Sequence, residues 1–183
     1  MRRSALRSID VRDLEPDEHA VRLRHRPDEG TKLKNGEAGE RMVYLGPRWF
    51  SVVEEHLDHP DRYDVTDEHC RRPLITSMFG RPTGDTIYKW TNQGTHPCEY
   101  GECPHGRTPE DCEARGADGY PSRCPDARSP HAVRRGAITH HLANGTSPEI
   151  VGERMDVSLS VLYQHYDART ESERMNVRVE HLP

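Results

Sequence analysis

The chain has 183 residues, of which 32% are hydrophobic and 31% charged, and a formal net charge of −5. That length suits one ordinary domain with a small appendage, and so modest an apolar fraction implies long polar loops. No apolar run approaches a bilayer span, and the N-terminal MRRSALRSIDVRDLEPD has no hydrophobic signal core, so a cytoplasmic protein without membrane contact is expected.

Taken in order, residues 2–9 read as the end of a helix that starts before this chain does. Glu15-Pro16-Asp17 marks a turn, and in residues 19–25 Val21 and Leu23 alternate with charged residues as in an exposed edge strand. Arg26-Pro27-Asp28-Glu29-Gly30 is a second turn, residues 32–34 a short strand, Asn35-Gly36 a further turn, and residues 41–45 a third strand ended by Gly46-Pro47. These pieces predict a small antiparallel sheet. A helix is expected over 47–59 with Phe50, Val53 and Leu57 on one face, then a charged loop, the apolar pair Leu74-Ile75, and a helix over 83–92 with Ile87 and Trp90 as core contacts. Acidic residues gather in stretches 13–18 and 58–68 and read as an acidic shell.

Four of the five cysteines fall in one segment, spaced C-x4-C-x8-C-x11-C, with His105 two residues after the second. In a cytosolic chain such clustering favours a metal over disulfides. Segment 96–125 is rich in Gly, Pro and Asp and has almost no large apolar residues, so it needs something other than a hydrophobic core to hold it. A structural zinc on Cys98, Cys103, Cys112 and Cys124, or on three of them with His105, is one expectation. Free thiols or a disulfide in an unstructured insertion is the other.

The most informative stretch is 129–167, SPHAVRRGAITHHLANGTSPEIVGERMDVSLSVLYQHYD. Ser129-Pro130 and Ser147-Pro148 each offer an N-cap hydroxyl followed by proline at the first helical position, and Gly145 ends the helix between them. His131 and Arg134 sit three apart on the first turn, where the helix N-terminus attracts a phosphate. Tyr163 and Tyr166 follow, so the pattern suggests phosphoryl transfer to a phenolic oxygen. Net negative charge does not exclude DNA, because Arg123, Arg128, Arg134 and Arg135 face only Asp126 between the two prolines Pro121 and Pro148.

The H-x-x-R, helix-pair and tyrosine order resembles the tyrosine recombinase (phage integrase) family. The likeness implies an α+β catalytic domain spanning 1–183, mainly helical with a small N-terminal antiparallel sheet, without its first helix or the family's separate N-terminal core-binding domain. Met1-Arg2-Arg3-Ser4-Ala5-Leu6 is similar to the family's first-arginine motif, which makes Arg2 the first arginine, with Ala5 in place of the usual glutamate. Lys34-Asn35 followed by Arg41-Met42-Val43-Tyr44-Leu45 is similar to the hairpin that carries the catalytic lysine, giving Lys34, with Lys32 as the alternative. Met155-Asp156 stands where the family has Gly-His or Gly-Trp. Tyr166 fits the nucleophile position, with Tyr163 second. The cysteine insertion, 96–125, resembles that of an integrase branch found in salt-loving archaea.

From that resemblance follow a double-stranded DNA partner, a homo-oligomer (a tetramer on DNA), and strand cleavage and rejoining through a 3′-phosphotyrosine. Arg2, Lys34, His131, Arg134 and Tyr166 would be the catalytic set, with no cofactor for catalysis. Two other readings remain open: a catalytically inactive, DNA-binding remnant of an integrase, and a zinc-stabilised interaction module unrelated to DNA.

Overall fold

Apolar residues of the N-terminal region pair into a three-stranded antiparallel sheet of order β1-β2-β3, formed by Leu14–Glu15 (β1), Ala20–Leu23 (β2) and Arg41–Tyr44 (β3). The structure is a computed structural model and describes residues 1–115, 119–165, 175 and 179. Val21 stands opposite both Leu14 and Val43. β2 is therefore the central strand and not the exposed edge that its alternation suggests, and Ala20, Val21 and Leu23 are all buried. The two residues of β1 cover it on one side, and Arg22 Nε donates across to Glu15 Oε1 at 2.7 Å.

Residues 32–34 do not form the expected strand. Pro27 opens a 3-10 turn, Pro27–Glu29, that closes at left-handed Gly30, and a single bridge joins Arg26 to Thr31. The chain then turns through Lys34-Asn35 into a second 3-10 turn, Gly36–Gly39. Three helices complete this part: Arg3–Ser8 (α1), Pro47–Asp58 (α2) and Gly84–Gly94 (α3). Ala5, Ile9, Val21, Leu23, Leu33, Val43 and Leu74 form one buried cluster, against which Val53 and Leu57 of α2 pack. In α3, Ile87 is buried as expected but Trp90 is 39% exposed. Two residues apart on a helix lie on nearly opposite sides. Burying Asn92, whose side-chain amide donates to Tyr88 O at 2.8 Å, thus turns Trp90 outward.

The chain divides into two units, Met1–Arg134 and Arg135–Pro183, and the boundary falls within the helix Pro130–Ala143 (α4). The second unit continues with Pro148–Met155 (α5) and Leu159–His165 (α6) around Ile138, Val151, Met155 and Leu162. Ser147 caps α5 by accepting the Ile150 N–H, with Pro148 at the first helical position. Asp156 ends α5 in the left-handed region. Gly152 allows the following turn to close: a Cβ there would lie 3.0 Å from Val157 O. The polar stretch 168–179, whose sequence reads as a helical tail, lies outside the described residues apart from positions 175 and 179. Among the described residues no helix is long and apolar enough to cross a membrane.

The acidic stretches are not merely a solvated shell. Asp13 is 4% exposed, and Asp67 lies with Asp10 among buried arginines. Asp10 pairs with Arg81, with Arg26 at 3.3 Å and with Arg71 at 3.6 Å. Arg26 also holds Asp13, and Asp67 receives Arg71 at 3.0 Å and Arg81 at 2.8 Å. Burial pushes the Asp67 carboxyl up. The backbone N–H of Arg71, the Arg81 guanidinium and the His69 N–H outweigh it and hold the group down at about 2, against an ordinary 3.8. A depressed carboxyl stabilises the fold fully above its unfolded value, and that stabilisation disappears as pH falls through the folded value. Asp67→Asn should therefore cost about 2 kcal/mol at neutral pH and flatten the loss of stability between about pH 5 and pH 2. Denaturant melts across that pH range check it.

Candidate active site

Four of the five proposed catalytic residues are described: Arg2, Lys34, His131 and Arg134 all belong to the first unit. Arg2 is the N-cap residue of α1, with φ −79 and ψ 157, and is half-buried. Ala5, one turn on, is buried in the apolar cluster with Ile9, Leu33 and Leu74. A carboxylate in that place would have to be desolvated beside aliphatic side chains, so the alanine belongs to the packing.

Lys34 is exposed and follows Leu33, which is buried in the same cluster as Ala5. The cluster thus brings the segments carrying Arg2 and Lys34 to a common core. The loop is fixed by polar contacts that its sequence does not announce. Glu40 accepts the His25 N–H at 2.7 Å and the Arg24 guanidinium at 2.8 Å, and these hold its carboxyl below the usual range. His25 Nδ1 accepts the Leu33 N–H at 3.0 Å. Lys32, the alternative lysine, is also exposed.

α4 begins as the Ser-Pro pair requires. Ser129 Oγ accepts the Ala132 N–H at 3.3 Å, Ser129 O accepts the Val133 N–H at 3.0 Å, and the first turn holds no acid. His131 and Arg134 share that turn but differ in setting: His131 is exposed, whereas Arg134 is 7% exposed. The entry to α4 is tied to α3, where Thr95 Oγ1 accepts the Arg128 N–H at 2.8 Å. α1 docks on the other end of α3, since Arg3 Nη1 donates to Gly84 O at 3.3 Å and its guanidinium lies 5.7 Å from the centre of the Tyr88 ring. One helix therefore connects the element that begins at Arg2 with the one that carries His131 and Arg134.

In the second unit, Tyr163 lies on α6 and is 43% exposed, directly after buried Leu162. Tyr166, the expected nucleophile, lies outside the described residues. Met155 is buried in the second core, and Asp156 is the left-handed cap of α5.

The four clustered cysteines are free thiols, as is Cys70. Cys98, Cys112 and Cys124 are buried and Cys103 is half-buried. Burial and its neighbour Cys103 push the Cys98 thiol up, while the Arg107 and His105 N–H groups pull that of Cys103 down. His105 Nε2 is 2.9 Å from Asp126 Oδ2. Among the described residues no group of three or more His, Cys, Asp or Glu side chains is arranged so that it could hold a metal ion.

The chain is similar in structure, along its whole length, to solved recombinase and integrase chains. An integrase of transposon Tn1549 in complex with circular intermediate DNA matches 100% of this chain with a TM-score of 0.67 and 12% identity, and 56% of its own chain is covered. The fold is that of a tyrosine recombinase catalytic domain. The same integrase in complex with transposon right end DNA matches 100% of this chain and 55% of its own at TM-score 0.65 and 13% identity. XerA recombinase matches 100% of this chain and 53% of its own at TM-score 0.58 and 16% identity. This chain thus spans about half the length of these structures. No family model matches the sequence. No curated protein matches it either.

The residues that hold the loop of Lys34 and the entry to α4 went unread in the sequence: His25, Glu40, Thr95 and the Asp10 network. Only His25 and Glu40 carried a cue, since they flank the turn that holds Lys34. Removing the ring in His25→Ala leaves the Leu33 N–H without its acceptor, at a cost of about 1 kcal/mol. Faster limited trypsin cleavage at Lys32 and Lys34, with the rest of the digestion pattern unchanged, is the expected result.

Proposed function

We propose that the chain is the catalytic portion of a site-specific DNA recombinase that cleaves and rejoins strands through a tyrosine. The observation that carries this reading is the first turn of α4, with its serine cap, proline, His131 and Arg134, in a tyrosine recombinase fold. Neither feature suffices alone. Many folds cap helices this way, and one fold serves several functions.

In the proposed reaction the phenolic oxygen of Tyr166 attacks a DNA phosphorus and the bond to the 5′-oxygen breaks. A 3′-phosphotyrosine and a 5′-hydroxyl result, and attack by another strand's 5′-hydroxyl reverses the step. The phosphodiester's energy is kept in the covalent link, so no nucleotide cofactor is required. Arg2 and Arg134 neutralise the non-bridging oxygens as planar forks. His131 and the first amides of α4 add donors to the same group. Lys34 gives its proton to the leaving 5′-oxygen, and its exposure on a pinned loop suits a group that must reach a bound duplex. Integrases solved with DNA share this fold. We take double-stranded DNA as the partner, a homo-oligomer on that DNA as the working form, and the cytoplasm as its place.

Arg134 favours this reading over an inactive DNA-binding remnant. A buried guanidinium costs several kcal/mol to desolvate, and a protein that only grips the backbone gains as much from exposed arginines. On a suicide substrate nicked near the cleavage site, the wild-type chain should form a covalent adduct, and Tyr166→Phe should reduce it by at least about a thousandfold, as expected when a nucleophile is removed. Tyr163→Phe should retain it. An undiminished adduct in Tyr166→Phe would refute the assignment, and its loss in Tyr163→Phe alone would transfer the role to Tyr163.

A further inference from the structure

The cysteine segment lies between α3 and α4, and nothing in the proposed DNA chemistry uses it. Its apolar content is one small cluster, Cys112, Ala114 and Cys124 with Ala127 packed against them. So little buried surface leaves the segment dependent on other links. Its thiols are all free, yet two of them are in contact. Cys98 hydrogen-bonds to Cys103, and both line a cavity of about 310 Å³ together with Cys112, Arg107 and Arg115.

We infer that Cys98 and Cys103 form a reversible dithiol–disulfide pair, oxidised by a low-molecular-weight disulfide that enters this cavity. Local structure holds the two sulfurs together. Cys98 sits in the 3-10 turn Pro97–Glu99 just after α3, and the Tyr100 hydroxyl donates to Gly94 O at 2.7 Å, which ties the intervening chain back to the helix. On the other side, the Gly106 N–H donates to Cys103 O at 3.0 Å in a turn that left-handed Gly106 permits. Residues 99–102 between the thiols are exposed, so drawing the sulfurs together displaces surface loop and no core.

The two thiols have different parts. Cys103 is half-buried and Cys98 is buried, so an entering disulfide meets Cys103 first. The backbone N–H groups of His105 and Arg107 donate to the Cys103 sulfur, and Arg107 and Arg115 line the same cavity. Donors and cations of this kind favour the thiolate, which is the attacking form. The Cys103 thiolate attacks one sulfur of the small disulfide, whose S–S bond breaks as a thiolate leaves and takes up the proton that Cys103 gave. Cys98 then attacks the Cys103 sulfur of the mixed disulfide, gives up its own proton, and expels the second small thiol. The protein pair loses two electrons and two protons, and the small disulfide gains both to become two thiols. Cys112 and Cys124 are buried in their own cluster, and Cys70 stands at a separate cavity whose lining holds no second cysteine. In a reducing compartment such a pair is transient and not a fixed staple.

Closure acts beside the support of the candidate site. Cys98 follows shortly after Thr95, whose hydroxyl accepts the Arg128 N–H ahead of α4 at 2.8 Å. The inference stands on the pair itself, independently of whether the chain acts on DNA.

The test uses the full chain, reduced, incubated with oxidised glutathione, quenched in acid, alkylated, and mapped by mass spectrometry after trypsin. Tryptic segment 90–107 carries both Cys98 and Cys103, whereas Cys112 and Cys124 fall in other segments. Segment 90–107 should escape alkylation and become lighter by two hydrogens at least about tenfold faster than Cys112 or Cys124 is modified, and reduced glutathione should reverse the change. Cys98→Ser should accumulate the glutathione adduct on Cys103, and Cys103→Ser should leave Cys98 unmodified over the same period. Cys70→Ser should alter nothing in this segment. Persistent glutathione adducts on Cys98 and Cys103 without closure, a linkage through Cys112 or Cys124 that forms first, or no reaction in segment 90–107 would overturn the proposal. The wild-type map decides the matter even if a variant fails to fold.

Discussion

A carboxylate as deeply buried as Asp10, 1% exposed, is tolerable only if it is paired, and the first unit is arranged around meeting that condition. Beside its near neighbour Arg12 at 3.4 Å, three arginines from three separate segments come to it: Arg26 from the turn after β2, Arg71 from the loop after α2, and Arg81 from the approach to α3. Asp13 and Asp67 balance the added charge. Each arginine also binds a backbone or hydroxyl group of another segment. Arg71 donates to Thr31 Oγ1 at 3.0 Å and to Glu29 O at 2.6 Å, and Arg81 donates to Arg7 O. Taking away any one partner would strand a buried charge, so the network acts as a unit.

That unit determines where the candidate residues stand. It closes over the C-terminal end of α1, whose N-cap is Arg2, and over the turn at Thr31 that precedes Lys34. The apolar cluster of Ala5, Leu33 and Leu74 lies against the same segments. Polar and apolar contacts thus specify one geometry for two loops that have little regular structure. The cost is sensitivity to acid at Asp67, whose carboxyl is held down at about 2 and must stay charged to keep its partners.

Local chemistry was legible in the sequence and long-range pairing was not. The serine-proline caps at Ser129 and Ser147, the left-handed glycines at Gly30 and Gly145, and the face of α2 that carries Phe50, Val53 and Leu57 all follow from interactions within a few residues. β2 was misplaced at the edge because its partner β1 is two residues long and runs directly into Pro16. Trp90 was misplaced because a buried Asn92 cannot be foreseen from hydrophobic periodicity. Asp10, Asp13 and Asp67 are indistinguishable from surface acids until Arg26, Arg71 and Arg81 are seen to reach them. For the site, spacing alone puts His131 and Arg134 on one helical turn, but nothing in an H-x-x-R pattern says that the arginine is buried and the histidine exposed.

The central claim is that this fold carries out transesterification on DNA through a tyrosine. Mapping a covalent protein–DNA adduct tests it most directly. The chain is incubated with a nicked duplex, digested with nuclease and trypsin, and analysed by mass spectrometry for a nucleotide-modified tyrosine. Modification is predicted on Tyr166 within the tryptic segment 155–169, with a free 5′-hydroxyl on the released strand. DNA that is bound and released by salt with no tyrosine modified, or an adduct joined to a 5′-phosphate, would contradict the account.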